Sequence, residues 1–183
     1  MLVAAPDIVL RPWQPGDAEA LAAIANDRSV WINLRDRFPH PYTLADARSW
    51  IAFAMDQADP LSHPAVVVGG AVAGGMGLMP LDDVNRLTVE IGYWLGRDFR
   101  GRGVATAAVR ALTAYAFDVR GFERVEAPIF AWNPASGRVL EKAGFVLEGR
   151  FRRRMIKDGR VGDELLFARV REPKQASAPS LDG

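Results

Sequence analysis

The chain has 183 residues, the length of one compact domain rather than two. Hydrophobic residues make up 49% and charged residues 25% of it, as in globular proteins, and its net charge of +1 does not favour DNA or a membrane surface as a partner. Because the chain contains no cysteine, disulfides, thiol catalysis, iron–sulfur clusters and zinc fingers are excluded. His40 and His63 each precede a proline, so both are interpreted as loop residues, and no metal site is expected.

Targeting and membrane segments are not indicated. The first seven residues lack the basic start and the long apolar core of a secretory signal. An uncharged stretch runs from Pro60 to Leu81, with the pair Gly69-Gly70 between two runs of valine and alanine. Such a pair is typical of a two-residue hairpin turn, which explains the pattern better than a membrane-spanning helix does. We therefore expect a cytoplasmic protein.

Alternating and helically spaced apolar residues predict secondary structure along most of the chain. The predicted strands cover residues 8–11, the two sides of the Gly69-Gly70 turn, 88–95, 124–130, 145–157 and 161–170. The predicted helices cover residues 17–26, a segment capped by Thr43, residues 103–119 with an apolar face from Val104 to Val119, and a short run from Pro134.

This order of elements indicates an α+β class with a central sheet of mixed strand direction. Residues 1–171 are predicted to form a single domain. Residues 172–183 contain too few apolar side chains to pack, and we expect them to be a disordered tail.

Between residues 88 and 106 a strand leads through a glycine-bearing turn into the start of a long helix. Backbone N–H groups in the first turn of a helix have no partner within it, and the helix dipole adds about half a positive charge at that end. Gly101 and Gly103 let an anion approach the backbone, and Arg100 and Arg102 add positive charge. The turn therefore favours a pyrophosphate, although by itself such a pattern is as often a plain surface loop.

Two motifs carry a resemblance to a known family. Arg100, Gly103 and Ala105 fit the pattern Arg/Gln-x-x-Gly-x-Gly/Ala, and the chain thereby resembles the GNAT acyltransferase superfamily. The run that begins at Asn133 is similar to the Asn-x-x-Ser and Glu-Lys-x-Gly-Phe block of its ribosomal-protein N-terminal acetyltransferase branch, the RimJ/RimL type. The resemblance covers nearly the whole chain. It implies a mostly antiparallel sheet whose middle strands splay apart, flanked by helices, and transfer of an acyl group from acetyl-CoA directly to an amine.

The resemblance also implies contacts for the cosubstrate acetyl-CoA, without a metal. The backbone of Trp94 and Leu95 would meet the acetyl group and the pantetheine arm and would polarise the thioester carbonyl, and Asn133 would bind the arm. The residues that would hold the pyrophosphate are Arg100, Gly101, Arg102, Gly103, Val104, Ala105 and Thr106.

Two side chains are candidates for proton transfer. Glu90 occupies the strand position of the general base in some members of the superfamily; the alternative is a glutamate paired with an arginine of a neighbouring strand. Ser136 is the candidate proton donor to the departing thiolate, or else an early-turn serine that binds the helix backbone. The tyrosine that often serves as the acid in the superfamily is replaced by Leu140, while Tyr93 and Tyr115 are interpreted as strand and helix residues rather than as its replacements.

Aromatic residues mark the predicted acceptor end. Trp31, Phe38 and Tyr42 either form an acceptor-binding wall or anchor a loop on the sheet, and Asp163 is a candidate for holding the acceptor's positive charge. Arginines that alternate near Arg152 form either a basic patch for an acidic acceptor or ribosomal RNA, or a solvated strand face.

Together these observations predict a cytoplasmic, acetyl-CoA-dependent N-acetyltransferase that acts as a monomer or homodimer, with no DNA or membrane partner. Its predicted acceptor is the N-terminal amine of a peptide or protein. The alternatives are a small amine such as an amino acid, a polyamine or an antibiotic, and a non-catalytic acyl-CoA-binding module.

Overall fold

Residues 1–172 are described by the computed structural model, so the tail predicted over residues 172–183 lies almost entirely outside the described residues. Within residues 1–172, eight strands form one sheet in the order β1-β2-β3-β4-β5-β6-β8-β7, accompanied by five helices. Six of the seven strand pairs in this part of the chain are antiparallel, and β5 and β6 are parallel. The predicted α+β class with a mixed, mostly antiparallel sheet is confirmed.

The bounds of the elements follow the sequence patterns closely. The strands are β1 Leu2–Ala5, β2 Ile8–Arg11, β3 Ala65–Val68, β4 Ala71–Pro80, β5 Thr88–Leu95, β6 Arg124–Phe130, β7 Val146–Lys157 and β8 Arg160–Val170. The helices are α1 Ala18–Ala25, α2 Arg28–Trp31, α3 Leu44–Met55, α4 Val104–Asp118 and α5 Pro134–Lys142.

Local chemistry explains two of these boundaries. Thr43 caps α3: its hydroxyl accepts from the Asp46 N–H at 3.2 Å, and the Asp46 carboxylate accepts from the Thr43 N–H at 2.8 Å. The β3–β4 turn has Gly69 and Gly70 at φ of 55° and 85°, the left-handed region that a primed hairpin turn requires. The uncharged stretch is therefore a hairpin, and no helix in the described part of the chain is long and apolar enough to span a membrane.

The middle of the sheet splays apart. β5 and β6 are in register only at Thr88, Val89 and Glu90, opposite Arg124, Val125 and Glu126. Beyond Glu90 the remaining residues of β5 pair with β4 alone, while β6 continues along β8. The backbone edges of β5 and β6 that face each other are left unpaired, and this leaves a gap in the sheet.

The side chains of β5 alternate between the two faces of the sheet, and each face packs on a different hydrophobic cluster. Val89 and Ile91 are buried with residues of α4, such as Leu112, in one cluster. Trp94 packs instead on the second cluster, which contains α1 and α3 residues such as Leu21. Because side chains alternate along a strand, Glu90 and Gly92 share the α1 and α3 face with Trp94, and Tyr93 faces α4 and α5.

Three details differ from the sequence analysis. β1 was not predicted, because its four residues, Leu2–Ala5, show no clear alternation and form a strand by pairing with β2. Val119 was predicted to lie on the apolar face of α4, but it follows the last helical residue and its side chain is 67% exposed. The alternation around Arg152 is broken by a register shift between Phe151 and Met155, where Arg153 has a φ of 52°.

Candidate active site

A cavity of about 1020 Å³ runs through the gap between β5 and β6. At one end it is bordered by the turn before α4 and by the first residues of α5, and at the other by α3 and the segment before it. It brings together most of the predicted site residues: Phe38, Tyr42, Glu90, Trp94, Leu95, Arg100, Gly101, Gly103, Val104, Ala105, Thr106, Asn133 and Ser136. The gap therefore connects the two faces of the sheet.

The turn before α4 is open in the way that a bound pyrophosphate requires. Gly101 and Gly103 have φ angles of 73° and 79°, and a Cβ built on either would meet no atom within 4 Å. Gly103 is the N-cap of α4 and has no side chain to accept from the first N–H groups of the helix, which also borders the cavity. Within residues 1–172 no side chain caps these N–H groups, and they can bind an anion.

The Arg100 side chain forms hydrogen bonds with the end of β5 and with α2. Its Nε donates to the Leu95 carbonyl oxygen at 2.9 Å, and a terminal nitrogen donates to Ser29 Oγ at 3.0 Å. The guanidinium thereby fixes the end of β5 to the turn and to α2. Arg102, predicted as a further pyrophosphate contact, does not border the cavity.

A close approach between β4 and β5 fixes the end of β5, beyond the residues that pair with β6. Gly74 pairs with Leu95, and a Cβ built on Gly74 would lie 2.1 Å from the Trp94 carbonyl oxygen. The Trp94 side chain lies on the α1 and α3 face of the sheet. Its ring contacts the Phe38 ring edge to face, with 5.5 Å between the ring centroids. The backbone of Trp94 and Leu95, which is predicted to meet the thioester, is therefore held by its pairing with β4 and by the contact of the Trp94 ring with Phe38.

Ser136 lies in the first turn of α5 and is held by two neighbours. The Asn133 side chain caps the helix by accepting from the Ser136 N–H at 3.3 Å. The Tyr93 hydroxyl lies 2.7 Å from Ser136 Oγ and donates to the Ser136 carbonyl oxygen at 3.1 Å. Burial raises the pKa of Tyr93 to about 12, against the opposing effect of the Ser136 hydrogen bond, so its hydroxyl keeps its proton near neutral pH.

Tyr93 was missed as a functional candidate. Strand alternation explains its place on the α5 face of β5. What alternation alone does not reveal is that Ser136, 43 positions away, lies at hydrogen-bond distance. With Leu140 fully buried in the core, Tyr93 is the tyrosine whose hydroxyl contacts Ser136 among the described residues.

Glu90 projects from β5 on the opposite face, with its side chain 19% exposed. Its carboxylate is paired with Arg35 at 2.7 Å, an arginine of the segment between α2 and α3 and not of a neighbouring strand. Glu90 borders the cavity on the same face of the sheet as Trp94. It is thus both paired and accessible to a ligand in the gap.

Aromatic side chains line the α3 end of the cavity, where the sequence predicts the acceptor. Phe38 and Tyr42 border it and contact each other at 4.8 Å between ring centroids. Trp50 and Phe53 of α3 add a second aromatic pair at 5.5 Å, together with His63. The exposure of Phe53, at 48%, shows that the apolar stripe of α3 serves the cavity as well as the core.

Trp31 and Asp163 do not border the cavity. Asp163 accepts from Arg150 Nε at 2.7 Å and from the Arg153 N–H at 2.8 Å. The ring of Trp31 is stacked on His40 at 5.4 Å and covered by a lysine. Of the two alternatives for Trp31, loop anchoring is the one that these contacts support.

That lysine, Lys157, ties the hairpin β7–β8 to the segment that borders the acceptor end. Its side chain is 1% exposed, and its Nζ lies 3.9 Å from the centroid of the Trp31 ring and 2.8 Å from Asp36 Oδ1. The adjacent Asp158 is paired with Arg28 of α2. The tip of the hairpin therefore holds α2 and the residues that follow it against the cavity.

Replacing Lys157 by alanine is expected to loosen this wall. Loss of a desolvated cation–π contact and of the packed side chain should lower the free energy of unfolding by about 2 kcal/mol. The KM for the acceptor should rise about fivefold, and more than the KM for acetyl-CoA, because the turn before α4 contacts α2 through the Arg100–Ser29 hydrogen bond alone among the side-chain bonds of Arg100. Chemical denaturation measures the free energy of unfolding, and steady-state kinetics measures the two KM values.

The matched control is Asp36→Asn, which removes the other half of the ion pair. The Asp36 side chain is 74% exposed and asparagine keeps an oxygen that can accept from Lys157 Nζ, so we expect a smaller loss than for Lys157→Ala, about 1 kcal/mol. Equal effects of the two substitutions, or no effect of Lys157→Ala, would contradict the role of the buried contact.

The fold and the site together define a class of protein. Residues 7–146 match the family model described as the acetyltransferase (GNAT) domain, and the chain therefore belongs to the GNAT acetyltransferase family. It is an N-acetyltransferase, and the family identified from the sequence, with its RimJ/RimL-type features, is confirmed.

Individual relatives cover almost the whole chain. The chain is 36% identical to "Putative ribosomal N-acetyltransferase YdaF" of Bacillus subtilis over 168 residues, which are 88% of this chain and 90% of that protein. It is 25% identical to "L-amino acid N-acetyltransferase AaaT" of Escherichia coli, covering 90% and 99% of the two chains. The structure of RimL, a ribosomal-protein α-N-acetyltransferase in complex with coenzyme A, superposes with a TM-score of 0.81 over 93% of this chain and 98% of that one, at 20% identity.

Proposed function

We propose that this enzyme transfers an acetyl group from acetyl-CoA to an α-amine, at the N-terminus of a peptide or protein. The observation that carries the proposal is the single cavity through the gap, which joins the open turn before α4 to the aromatic end beside Glu90. A thioester and an amine that entered from opposite faces would meet between β5 and β6. The relatives support the α-amine, since RimL is named for α-N-acetylation of a ribosomal protein and AaaT for acetylation of an amino acid.

We place the cosubstrate on the α4 side of the gap. The N–H groups of Val104 to Thr106 and the glycine turn would hold the pyrophosphate, and the unpaired edge of β5 would bind the pantetheine amides. The backbone at Trp94 and Leu95 would polarise the thioester carbonyl. Asn133 uses its oxygen to cap α5, so only its amide N–H group remains to donate to the arm.

We assign the two proton transfers to side chains on opposite faces of β5. The neutral form of the acceptor amine attacks the thioester carbon from the α3 face, and Glu90 takes the proton that the nitrogen loses as the amide bond forms. The carbon–sulfur bond then breaks, and Ser136 donates a proton to the thiolate on the α5 face. Ser136 is reprotonated through Tyr93 or water, and the products are the N-acetylated amine and CoA.

A moderate base is sufficient for such an acceptor. An α-amine with a pKa near 8 is about one-tenth neutral at pH 7, a deficit of roughly 1 kcal/mol, whereas a lysine side chain costs about 4 kcal/mol or more. A carboxylate base is therefore better suited to an α-amine than to a lysine side chain. This favours an α-amine over a lysine side chain or a polyamine.

The test is CoA release from acetyl-CoA with a panel of acceptors. The panel contains short peptides with free α-amines, the same peptides with blocked N-termini and a free lysine, free amino acids, and polyamines. We expect turnover with the free α-amines, and Glu90→Gln should lower kcat/KM about a hundredfold at pH 7 while acetyl-CoA binding is retained.

Glu126→Gln is the matched control, because Glu126 is the register partner of Glu90 on β6 but does not border the cavity. It should leave kcat/KM unchanged. Turnover with free amino acids alone would favour the small-amine alternative, and binding of acetyl-CoA without turnover on any acceptor would favour a non-catalytic module.

A further inference from the structure

Met79 of β4 lies beside Glu90 on the face of the sheet that packs on α3. The two residues are register partners across β4 and β5. Directly opposed residues of an antiparallel pair project from the same face, with their Cβ atoms about 5 Å apart. Both residues also border the cavity. A ligand group held next to the Glu90 carboxylate therefore has Met79 beside it.

Two glycines allow the Met79 side chain to lie along the sheet. Gly77 and Gly92 are the next register pair on the same face. Met79 Sδ lies 3.3 Å from a Cβ built on Gly77, and Met79 Cε lies 3.6 Å from a Cβ built on Gly92. The thioether therefore occupies the place over both strands that other residues would fill with their own side chains, and it makes this part of the sheet apolar.

His63 extends the apolar surface toward α3. Its ring Cδ2 lies 3.2 Å from the same Cβ position on Gly77, so the imidazole and the thioether of Met79 flank one glycine. Trp50 and Phe53 contact the imidazole edge to face, with 5.5 and 5.3 Å between ring centroids. Met79, His63, Trp50 and Phe53 all border the cavity, and we call them the Met79–Phe53 surface.

α3 contributes to this surface with a stripe of its own. Its buried residues, at positions 47, 51 and 54, pack on the core. The residues at positions 46, 49, 50 and 53 border the cavity and have the i, i+3, i+4, i+7 spacing of one helix face. Phe53 remains 48% exposed although it contacts the rings of Trp50 and His63. An apolar ligand group that covers Phe53 would remove this exposed area from water.

The charged groups nearby do not favour a cationic ligand group. Three acidic side chains border the cavity in the described part of the chain, and each has a partner: Asp46 with Thr43, Glu90 with Arg35 and Glu164 with Arg154. Burial lowers the pKa of His63, and the positive charge of Arg37 lowers it further against the opposite effect of Asp59, so the imidazole is uncharged above pH 7. Arg37 also borders the cavity, and it is the group that an acidic ligand would contact.

We propose that the Met79–Phe53 surface binds the first side chain of the acceptor, and that the enzyme selects peptides and proteins whose N-terminal residue is large and apolar, such as leucine or phenylalanine. This inference rests on the proposed function, in which Glu90 takes the proton of the α-amine. The first side chain is attached to the carbon that carries this amine, so an amine next to Glu90 brings that side chain against Met79. A glycine would leave the surface in water, and a charged side chain would lose hydration against it.

The experiment measures CoA release from acetyl-CoA with pentapeptides that differ only in their first residue, which is glycine, leucine, phenylalanine, aspartate or arginine. At pH 8.5 the α-amines are mostly neutral, so differences in their protonation are small. We expect kcat/KM for the leucine and phenylalanine peptides to exceed that for the glycine peptide about thirtyfold. The aspartate and arginine peptides should be no better than glycine.

Two variants test the surface itself. Phe53→Ala should lower the leucine-to-glycine ratio of kcat/KM to about threefold, whereas Met55→Ala should keep the ratio of the parent, because Met55 is 50% exposed on the same helix but does not border the cavity. Met79→Ala should open space over the two glycines and raise the phenylalanine-to-leucine ratio about fivefold. Each ratio compares two peptides on one enzyme, so partial unfolding or a shift of Glu90 cancels.

Three results would overturn the proposal and leave the proposed function intact. They are a parent enzyme whose kcat/KM for the glycine, aspartate or arginine peptide equals or exceeds that for leucine, a Phe53→Ala enzyme with the leucine-to-glycine ratio of the parent, and a Met79→Ala enzyme with an unchanged phenylalanine-to-leucine ratio. A parent enzyme that binds CoA but acetylates none of the peptides would remove the proposed function, and the preference for apolar N-termini with it.

Discussion

Replacing Ser136 by alanine is expected to lower kcat about a hundredfold, with little change in the KM for either substrate. The hydroxyl is 2.7 Å from Tyr93 Oη and held at the start of α5, where it can give a proton to the departing thiolate. Without it the thiolate leaves unprotonated or waits for a water molecule. Single-turnover and steady-state CoA release from acetyl-CoA with an α-amine peptide measure the loss.

The role of Tyr93 is tested by a double-mutant cycle. Tyr93→Phe removes the partner of Ser136 and should lower kcat about tenfold, while the double variant should be no slower than Ser136→Ala alone, because Tyr93 acts through Ser136. Tyr115→Phe is the matched control, since the Tyr115 hydroxyl donates to Asp59 at 2.9 Å and does not border the cavity. Additive losses in the double variant would show that Tyr93 acts independently of Ser136.

Replacing Gly74 by alanine should have the largest effect on stability. The new Cβ would lie 2.1 Å from the Trp94 carbonyl oxygen and 3.0 Å from the Leu95 Cα, and both of these are backbone atoms. β4 and β5 must therefore move apart, and we expect the free energy of unfolding to fall by about 3 kcal/mol. Because the end of β5 forms one edge of the gap, CoA binding should weaken in the same variant.

Gly16→Ala is the control for this substitution. A Cβ on Gly16 meets no atom within 4 Å, and its φ is negative, so denaturation midpoints should be unchanged. A Gly74→Ala protein as stable as Gly16→Ala would show that the two strands tolerate the added methyl group and that their close approach is not required.

Much of the fold was predictable because its signals are local. β2, β5 and β6 have the predicted bounds, Thr43 caps α3 as predicted, and the Gly69-Gly70 turn forms the predicted hairpin. Each of these depends on neighbours within a few positions. β1 was missed because its strand conformation depends on pairing with β2 and not on its own pattern.

The site was predictable where a motif carries the chemistry in its backbone. The glycine turn and the first turn of α4 border the cavity, as the resemblance implies. The side-chain partners were not predictable, because Arg35 reaches Glu90 and Tyr93 reaches Ser136 across 55 and 43 positions. Such pairings depend on the path of a loop and on strand register, and neither is encoded in short-range spacing.

Trp31 shows that a long-range contact can also take a predicted site residue away from the site. An aromatic residue in an irregular segment beside a motif is a reasonable candidate for a binding wall. The sequence offers no means of knowing that Lys157, far along the chain, takes that ring as its partner. His63 is likewise interpreted from its sequence as a loop residue. Its position over Gly77 depends on the folded sheet and has no signal in the neighbouring residues.

The gap between β5 and β6 also bears on the order of events during turnover. Since the proposed thioester and amine routes open on opposite faces of the sheet, neither substrate would obstruct the other's path in or out. Access alone would then impose no obligatory sequence of arrival. A preference for one substrate to bind first would therefore have a cause other than blocked access.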